Sequence, residues 1–327
     1  MFKKDTILIT GGTGSFGREF AINLLKKKMF KKIIIFSRDE LKQHEMRNEN
    51  IFKKNSKKMR YFIGDIREKE RLINSFKNVD YIVHAAALKQ VDTAEYNPFE
   101  FIKTNINGTE NVIQASVINN VKKVIALSTD KAVSPINLYG ATKLCSDKLI
   151  VAANNIFGKI QTSFSIVRYG NVMSSRGSVI PTFKNNLING EIFKITDPNM
   201  TRFNLTLKDC FDTVIWTIKN SIGGEIVIKK SPSYRIIDIA KAISKKNRFK
   251  IIGLRPGEKM HEELIVKSEN DLIFDKGDYY ILINKTLGNK INKIIKKMKL
   301  VKKVKPFSYS SGSNRNFLSI NKIKKLI

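Results

Sequence analysis

Cysteine is nearly absent from this 327-residue chain, which has two, Cys145 and Cys210, without CxxC spacing. Two are too few for a disulfide framework, so both are expected to stay reduced and take no part in chemistry. Long apolar runs are missing too. None approaches the ~18 residues of a spanning helix, and Thr6–Thr10 is too short for the core of a signal peptide. A cytoplasmic protein is expected. Acidic residues are scarce, 29 Asp+Glu against 60 Lys+Arg, giving a net charge of +31. Such an excess is the footprint of a nucleic-acid or anionic-membrane binder. The lysines are nevertheless scattered through every segment among many Ile and Asn, as AT-rich coding produces without any partner. At 42% hydrophobic residues the chain can bury a large core, which excludes disorder as its main state.

The first half alternates short apolar runs with amphipathic stretches. Strands are predicted at Thr6–Thr10, Lys32–Phe36, Arg60–Ile63, Tyr81–His84, Lys123–Leu127 and Ser163–Arg168. Helical spacing fills Phe16–Lys28, Glu68–Phe76, Thr104–Asn119 and Leu138–Asn155. The fold class is therefore α/β, a doubly wound parallel Rossmann sheet over residues 1–170 that binds ligands at its strand C-termini. Residues 171–327 are expected to form mostly a smaller substrate-binding lobe, with some segments returning to the first domain. Helices are predicted there at Leu207–Ser221 and Ile236–Lys245. Over Lys290–Lys305, Ile291, Ile294, Ile295 and Met298 share one face ringed by lysines, read as a solvated helix over a membrane-surface one.

Gly11, Gly12, Thr13, Gly14, Ser15, Phe16 and Gly17 follow the first strand and open the first helix. Glycines there let the backbone approach a pyrophosphate, and the helix N-terminus supplies amide donors and partial positive charge. A nicotinamide dinucleotide is the expected cofactor. An NAD site usually ends its second strand on an acidic residue. Here Ser37-Arg38-Asp39-Glu40-Leu41-Lys42 follows instead, so the segment is read as a 2′-phosphate site and the cofactor as NADP, although Asp39 could still reach a ribose. Asp65, with Ile66 after it, either accepts from an adenine amine or caps the next helix. Ala85 and its neighbouring alanines leave room for the nicotinamide-side ribose, and His84 is read as a buried strand-end histidine.

Thr129-Asp130-Lys131 ends the fifth strand, and Tyr139 and Lys143 follow as Tyr-x-x-x-Lys on a predicted helix. An i, i+4 pair shares one helix face. Lys143 is thus expected to lower the pKa of Tyr139 and hold the nicotinamide ribose, and the phenolate to accept a hydroxyl proton as hydride leaves carbon.

These residues resemble the extended short-chain dehydrogenase/reductase family. TGGTGSFG, SRDELKQ, FIGDIRE, HAAALKQV, KTNINGTENV, LSTDKAVSPINLYGATK, VRYGNVMSSRGSVIP, ITDPNMTRF and LRPGEKMHEELI narrow the likeness to its inverting UDP-N-acetylglucosamine 4,6-dehydratases of pseudaminic acid biosynthesis. The resemblance runs from Thr6 to Leu264, with a C-terminal echo at Tyr309, Ser311 and Asn314. It implies an internal redox cycle on UDP-GlcNAc: C4 is oxidised, water leaves across C5 and C6, and the hydride returns to C6. It also implies Tyr139 as base for the 4-hydroxyl, Thr129 bonded to the 4-oxygen, Asp130 as acid for the departing 6-hydroxyl and Lys131 as C5 base. Ordinary 4,6-dehydratases have Glu at that last position. A lysine there must be neutral, through desolvation or a neighbouring cation such as Lys143.

Lys89, Lys131, Asn171, Val172, Arg176, Thr196, Arg255, Tyr309, Ser311 and Asn314 are the implied substrate contacts, and a homo-oligomer, dimer to hexamer, is implied. No metal is expected. The related readings are a capsule-type dehydratase/5-epimerase, a UDP-sugar 4-epimerase and a non-catalytic NADP-sensing Rossmann protein. The site calls on only a few cations, so most of the charge excess is left to coding bias, and neither nucleic acid nor membrane is expected as a partner.

Overall fold

The computed structural model describes residues 2–157, 161–173, 178–244, 249–269 and 272–327. Ten strands form its main sheet: β1 (Thr6–Thr10), β2 (Lys32–Ser37), β3 (Met59–Ile63), β4 (Tyr81–His84), β5 (Lys123–Thr129), β6 (Ser163–Tyr169), β7 (Glu225–Lys229), β8 (Leu272–Lys276), β9 (Tyr279–Ile283) and β10 (Lys302–Val304). Their order is β10-β8-β9-β7-β6-β5-β4-β1-β2-β3. Every pairing from β3 to β7 is parallel, while β7–β9, β9–β8 and β8–β10 are antiparallel. The parallel sheet read from the sequence thus carries an antiparallel extension built from the C-terminal third of the chain.

Period-two alternation sends Ile7 and Ile9 to one face of β1 and Leu8 to the other. Leu8 joins Leu72, Val112 and Ile150 from the helices Lys69–Ser75, Gly108–Ile118 and Leu138–Ile156. Opposite them, Ile7 and Ile9 pack with Phe20 of the helix Ser15–Lys26 and with Phe211 and Val214 of Leu207–Asn220. Strand β1 lies between β2 and β4, so the chain reverses direction across the sheet there. A crevice opens at such a switch point, above the strand C-termini.

A smaller lobe has its own core of Phe183, Phe193, Ile195, Tyr234, Ile239 and Ile323. It contains the three-stranded sheet Ser233–Arg235, Thr201–Leu205 and Asn171–Val172, and the helices Val179–Ile188, Ile236–Ile243 and Ile320–Leu326. The predicted helix over Lys290–Lys305 ends early, at Met298. Lys299 takes a left-handed conformation, and residues 302–304 leave the helix to pair with β8. Ile294 and Met298 are buried, which places the helix on the main core. Among the described residues no helix is long and apolar enough to cross a membrane.

Candidate active site

A cleft of about 800 Å³ runs from the glycine loop to Tyr139 and Lys143. Gly11 has φ +66, and a Cβ there would stand 2.9 Å from the Cα and N of Ala86; Gly17 approaches the Gly12 backbone as closely. The loop therefore lies flat against the turn after β4, with no side chain to fill the space above it. The following helix starts on Gly14, which supplies no side-chain cap, and its first-turn residues Ser15, Phe16 and Gly17 line the cleft with Thr13 and Gly14. This cradle fits a dinucleotide pyrophosphate.

Beyond β2, Thr13 and Ser37 hydroxyls meet at 2.8 Å. Arg38, Asp39 and Lys42 also line the cleft, whereas Glu40 and Leu41 fall outside its lining, exposed on the next helix. Asp39 caps that helix by accepting from the Lys42 backbone N–H at 2.9 Å, and its carboxylate also takes the Lys42 ammonium. Asp65 and Ile66 line an adjoining cavity of about 130 Å³ with Gly11, Arg38 and Ala86. Asp65 is already engaged: it accepts from the Arg67 backbone at 3.0 Å and from the Arg67 guanidinium at 2.7 and 3.0 Å, with Arg38 at 3.5 Å. Burial alone would raise its pKa, but these bonds hold it below the ordinary carboxylate value.

At the other end, β5 delivers Thr129, a short turn holds Asp130 and Lys131, and Leu138–Ile156 presents Tyr139 and Lys143. Asn137 starts that helix by accepting from Gly140 N–H at 2.7 Å, while its amide donates to the Gly257 carbonyl at 2.8 Å. Burial pushes the Tyr139 phenol up to about 12, opposed by Lys131 and by a hydrogen bond with Thr129. Lys143 is not among the chief influences on it. Its Nζ instead donates to the Leu127 carbonyl at 3.0 Å, and burial pulls its own pKa down against Asp147.

Lys131 departs further from expectation. Its Nζ lies 3.1 Å from Asp130 Oδ1 and 3.1 Å from Glu262 Oε1, and both carboxylates are buried. Burial opposes the charge, but the two carboxylates win and raise the lysine above its ordinary value. The arrangement thus favours the charged lysine over the neutral one expected from its neighbours, first through Asp130 and then through Glu262, which the sequence did not single out. The carboxylates themselves diverge. Burial, with Glu262 adding, raises Asp130, whereas for Glu262 Lys131 and Arg202 overcome burial and lower it. Arg202 Nε stands 3.7 Å from Glu262.

Lys89, Asn171, Val172 and Arg255 line the cleft, as does Ala85. Thr196 is buried outside its lining. Tyr309, Ser311 and Asn314 also lie outside it, engaged by protein partners. Tyr309 exchanges hydrogen bonds with the Ser231 backbone at 2.9 and 3.0 Å, and Asn314 donates to the Ser231 carbonyl at 2.8 Å. Ser311 accepts from the Glu262 N–H at 2.9 Å and meets the Thr201 hydroxyl at 2.8 Å. The C-terminal echo thus braces the strand behind Glu262 from outside the cleft lining. Arg176 lies outside the described residues. His84 bridges Thr10 (2.8 Å) and Thr109 (3.2 Å), with its pKa lowered to about 3 by burial and Lys143.

Comparison with known proteins agrees with this geometry. Over 334 residues the chain is 50% identical to the UDP-N-acetylglucosamine 4,6-dehydratase (inverting) of Campylobacter jejuni, covering 100% of this chain and 98% of that one. A Rickettsia bellii protein named UDP-glucose 4-epimerase is 46% identical over 287 residues, 86% of this chain and 83% of the relative. Among solved structures, Pen from Bacillus thuringiensis matches with a TM-score of 0.89 at 38% identity, covering 100% of this chain and 99% of its own. DesIV, a dTDP-glucose 4,6-dehydratase from Streptomyces venezuelae with NAD and TYD bound, shares the fold at TM-score 0.68 and 21% identity, over 78% of this chain and 86% of its own. With residues 7–284 matching its sequence pattern, the chain belongs to the polysaccharide biosynthesis protein family, on the extended short-chain dehydrogenase/reductase fold.

Proposed function

We propose that this protein is a C5-inverting UDP-N-acetylglucosamine 4,6-dehydratase that converts UDP-GlcNAc to UDP-2-acetamido-2,6-dideoxy-β-L-arabino-hex-4-ulose. The observation that carries the reading is the convergence, in one cleft, of Tyr139, Lys143 and Thr129 with a separate acid–base cluster of Asp130, Lys131 and Glu262. A 4-epimerase needs only the first set. The Rickettsia relatives make epimerisation the second reading, but it leaves a lysine paired with two buried carboxylates at the cleft without work.

A dinucleotide held on the glycine loop would supply reversible hydride transfer, from C4 of the sugar and back to C6. Tyr139 receives the 4-hydroxyl proton, with Thr129 beside the 4-oxygen and Lys143 at the ribose. Asp130, held toward its protonated form, gives a proton to the departing 6-hydroxyl, and Lys131 takes the proton from C5; once hydride has returned to C6, the resulting enolate takes a proton at C5 from the opposite face, which inverts that centre. Lys89, Asn171, Val172 and Arg255 hold the UDP-sugar, the guanidinium suited to forked contact with diphosphate oxygens. Ser37, Arg38 and Lys42 favour NADP over NAD. A first step toward pseudaminic acid, for glycosylation of flagellar protein, in a cytoplasmic homo-oligomer, completes the reading.

Incubation with UDP-GlcNAc followed by proton NMR tests it. A C6 methyl doublet is expected, with C5 coupling reporting inversion; a 4-epimer without a methyl signal would overturn the dehydratase. Lys131→Ala is expected to bind NADP and UDP-GlcNAc by calorimetry yet form no 4-keto product, and unchanged turnover would remove Lys131 from the C5 step.

A further inference from the structure

Loss of the C5 proton on the dehydratase reading poses a difficulty, because an ammonium held between two carboxylates has no lone pair to offer. The surroundings of Lys131 are asymmetric. Asp130 comes from the turn after β5, and Glu262 from the segment joining the lobe to the strand Glu263–Ile265. Each keeps one oxygen on Lys131 Nζ, and each has a second buried oxygen, Asp130 Oδ2 and Glu262 Oε2, with no hydrogen-bond partner among the described residues. All three side chains line the cleft. Asp130 is committed to protonating the 6-hydroxyl, so it cannot also drain the lysine.

We propose that Glu262 is the proton acceptor behind Lys131, taking a proton from Nζ onto Oε1 as the freed lone pair on Nζ removes the proton from C5. The inference rests on the dehydratase reading above. In the step the C5–H bond breaks and an Nζ–H bond forms, while another Nζ–H bond breaks and Oε1–H forms. The electron pair of C5–H passes into the enolate of the 4-ketone. Charge moves from Glu262 to the enolate, and Lys131 ends the step as it began, a cation, now beside the new anion. Two carboxylates whose surroundings drive them apart mark an acid and a base. The groups facing the pair are consistent with that division: Asp130, Arg202 and Tyr139 around Lys131, and Arg202 and Lys259 around Glu262. Arg202 keeps Glu262 ionised before the step and is itself fixed by the Thr201 carbonyl at 2.7 Å and by Glu258 at 3.5 Å.

Glu262→Gln preserves shape and removes the acceptor. With UDP-GlcNAc in D2O, the wild type is expected to reduce its cofactor transiently at 340 nm and to exchange C5–H. The variant should still reduce the cofactor, with KM for UDP-GlcNAc within about threefold, but lose C5 exchange and kcat by about 100-fold or more. In Glu262→Ala, added formate should restore exchange and formamide should not, which decides the matter even if the glutamine variant misfolds. A second readout needs no turnover: the 15N resonance of Lys131 Nζ should titrate at lower pH in Glu262→Gln than in wild type. Wild-type exchange rates in Glu262→Gln, or formate without effect in Glu262→Ala, would overturn the proposal. Absence of C5 exchange and of a C6 methyl product in the wild type would instead remove the dehydratase reading beneath it.

Discussion

At Gly11 two constraints coincide, a positive φ and a backbone neighbour 2.9 Å from where a Cβ would stand. Left-handed geometry costs a non-glycine residue about 1–2 kcal/mol, and here the crowding atoms are main chain of the turn that lines the cleft. Gly11→Ala is expected to lower Tm and to weaken cofactor binding at least tenfold by calorimetry. Gly190→Ala, at φ +69 with nothing within 4 Å, should lose stability alone. Equal cofactor affinity in the two variants would disprove the cradle. Gly11 was legible because its chemistry is local, a loop between one strand and one helix. Glu262 was not: LRPGEKMHEELI contains Glu258, Glu262 and Glu263, and no spacing within it says which carboxylate meets a lysine from the far side of the chain. The only signal is the motif itself, in which the guanidinium of Arg255 is the group whose chemistry points to a diphosphate. The same blindness affected Tyr309, Ser311 and Asn314, polar residues in a recognisable motif whose partners proved to be protein.

Among the elements, six of the seven parallel strands, all but β7, were legible to within two residues because buried strands read as short apolar runs between helical spacings. The antiparallel extension was not, since Lys302–Val304 is polar and gains its place only by pairing with β8. Likewise the expected helix from Thr104 begins as a π-helical segment, Ile102–Asn107. That wider turn carries the buried Asn105, whose side chain accepts from Leu88 N–H at 2.9 Å and donates to the Leu88 carbonyl at 2.9 Å and the Thr142 hydroxyl at 3.0 Å. One amide thus clamps the loop that carries Ala85 and Lys89 to the Tyr139 helix. Asn105→Ala strands the Leu88 groups and should cost about 2–3 kcal/mol in urea unfolding, with a raised KM for UDP-GlcNAc; wild-type KM would show that the clamp is not needed for binding. At the turn after β3, Asp65 is held below its ordinary pKa chiefly because Arg67 bonds outweigh burial. The folded state then binds this proton less readily than the unfolded chain. The stabilisation is complete above the ordinary Asp range near about 4 and is lost as pH falls through the folded value. The stability gap between wild type and Asp65→Asn should therefore be constant from pH 7 to 5 and shrink below about pH 4. A gap that persists to pH 3 would contradict the Arg67 clamp.

For the whole molecule, the excess of positive charge becomes a matter of self-repulsion. The cleft accounts for a handful of cations, and most of these are already balanced: Lys131 by Asp130 and Glu262, Arg202 by Glu258 and Glu262, Arg38 by Asp65, Lys42 by Asp39. Elsewhere Lys122 sits with Asp5 and Asp80, and Lys208 with Asp212, yet 29 acidic residues cannot neutralise 60 basic ones. The lysines of Lys290–Met298 and Ile320–Leu326 instead surround helices whose apolar residues Ile294, Met298 and Ile323 turn inward, so their charge lies on solvated faces. Repulsion among exposed like charges destabilises the compact state over a Debye length, which shortens from about 30 Å at 0.01 M salt to about 10 Å at 0.1 M. Tm of the protein without nucleotide should therefore rise by several degrees as NaCl goes from 10 to 150 mM, the reverse of what a fold held by surface ion pairs would show. The same salt increase should abolish retention of random DNA in a filter assay, because binding by lysines spread through every segment of the sequence is electrostatic and is lost to competing counterions. A Tm that falls with salt, or DNA held at 150 mM, would mean that the +31 has been arranged and not merely accumulated.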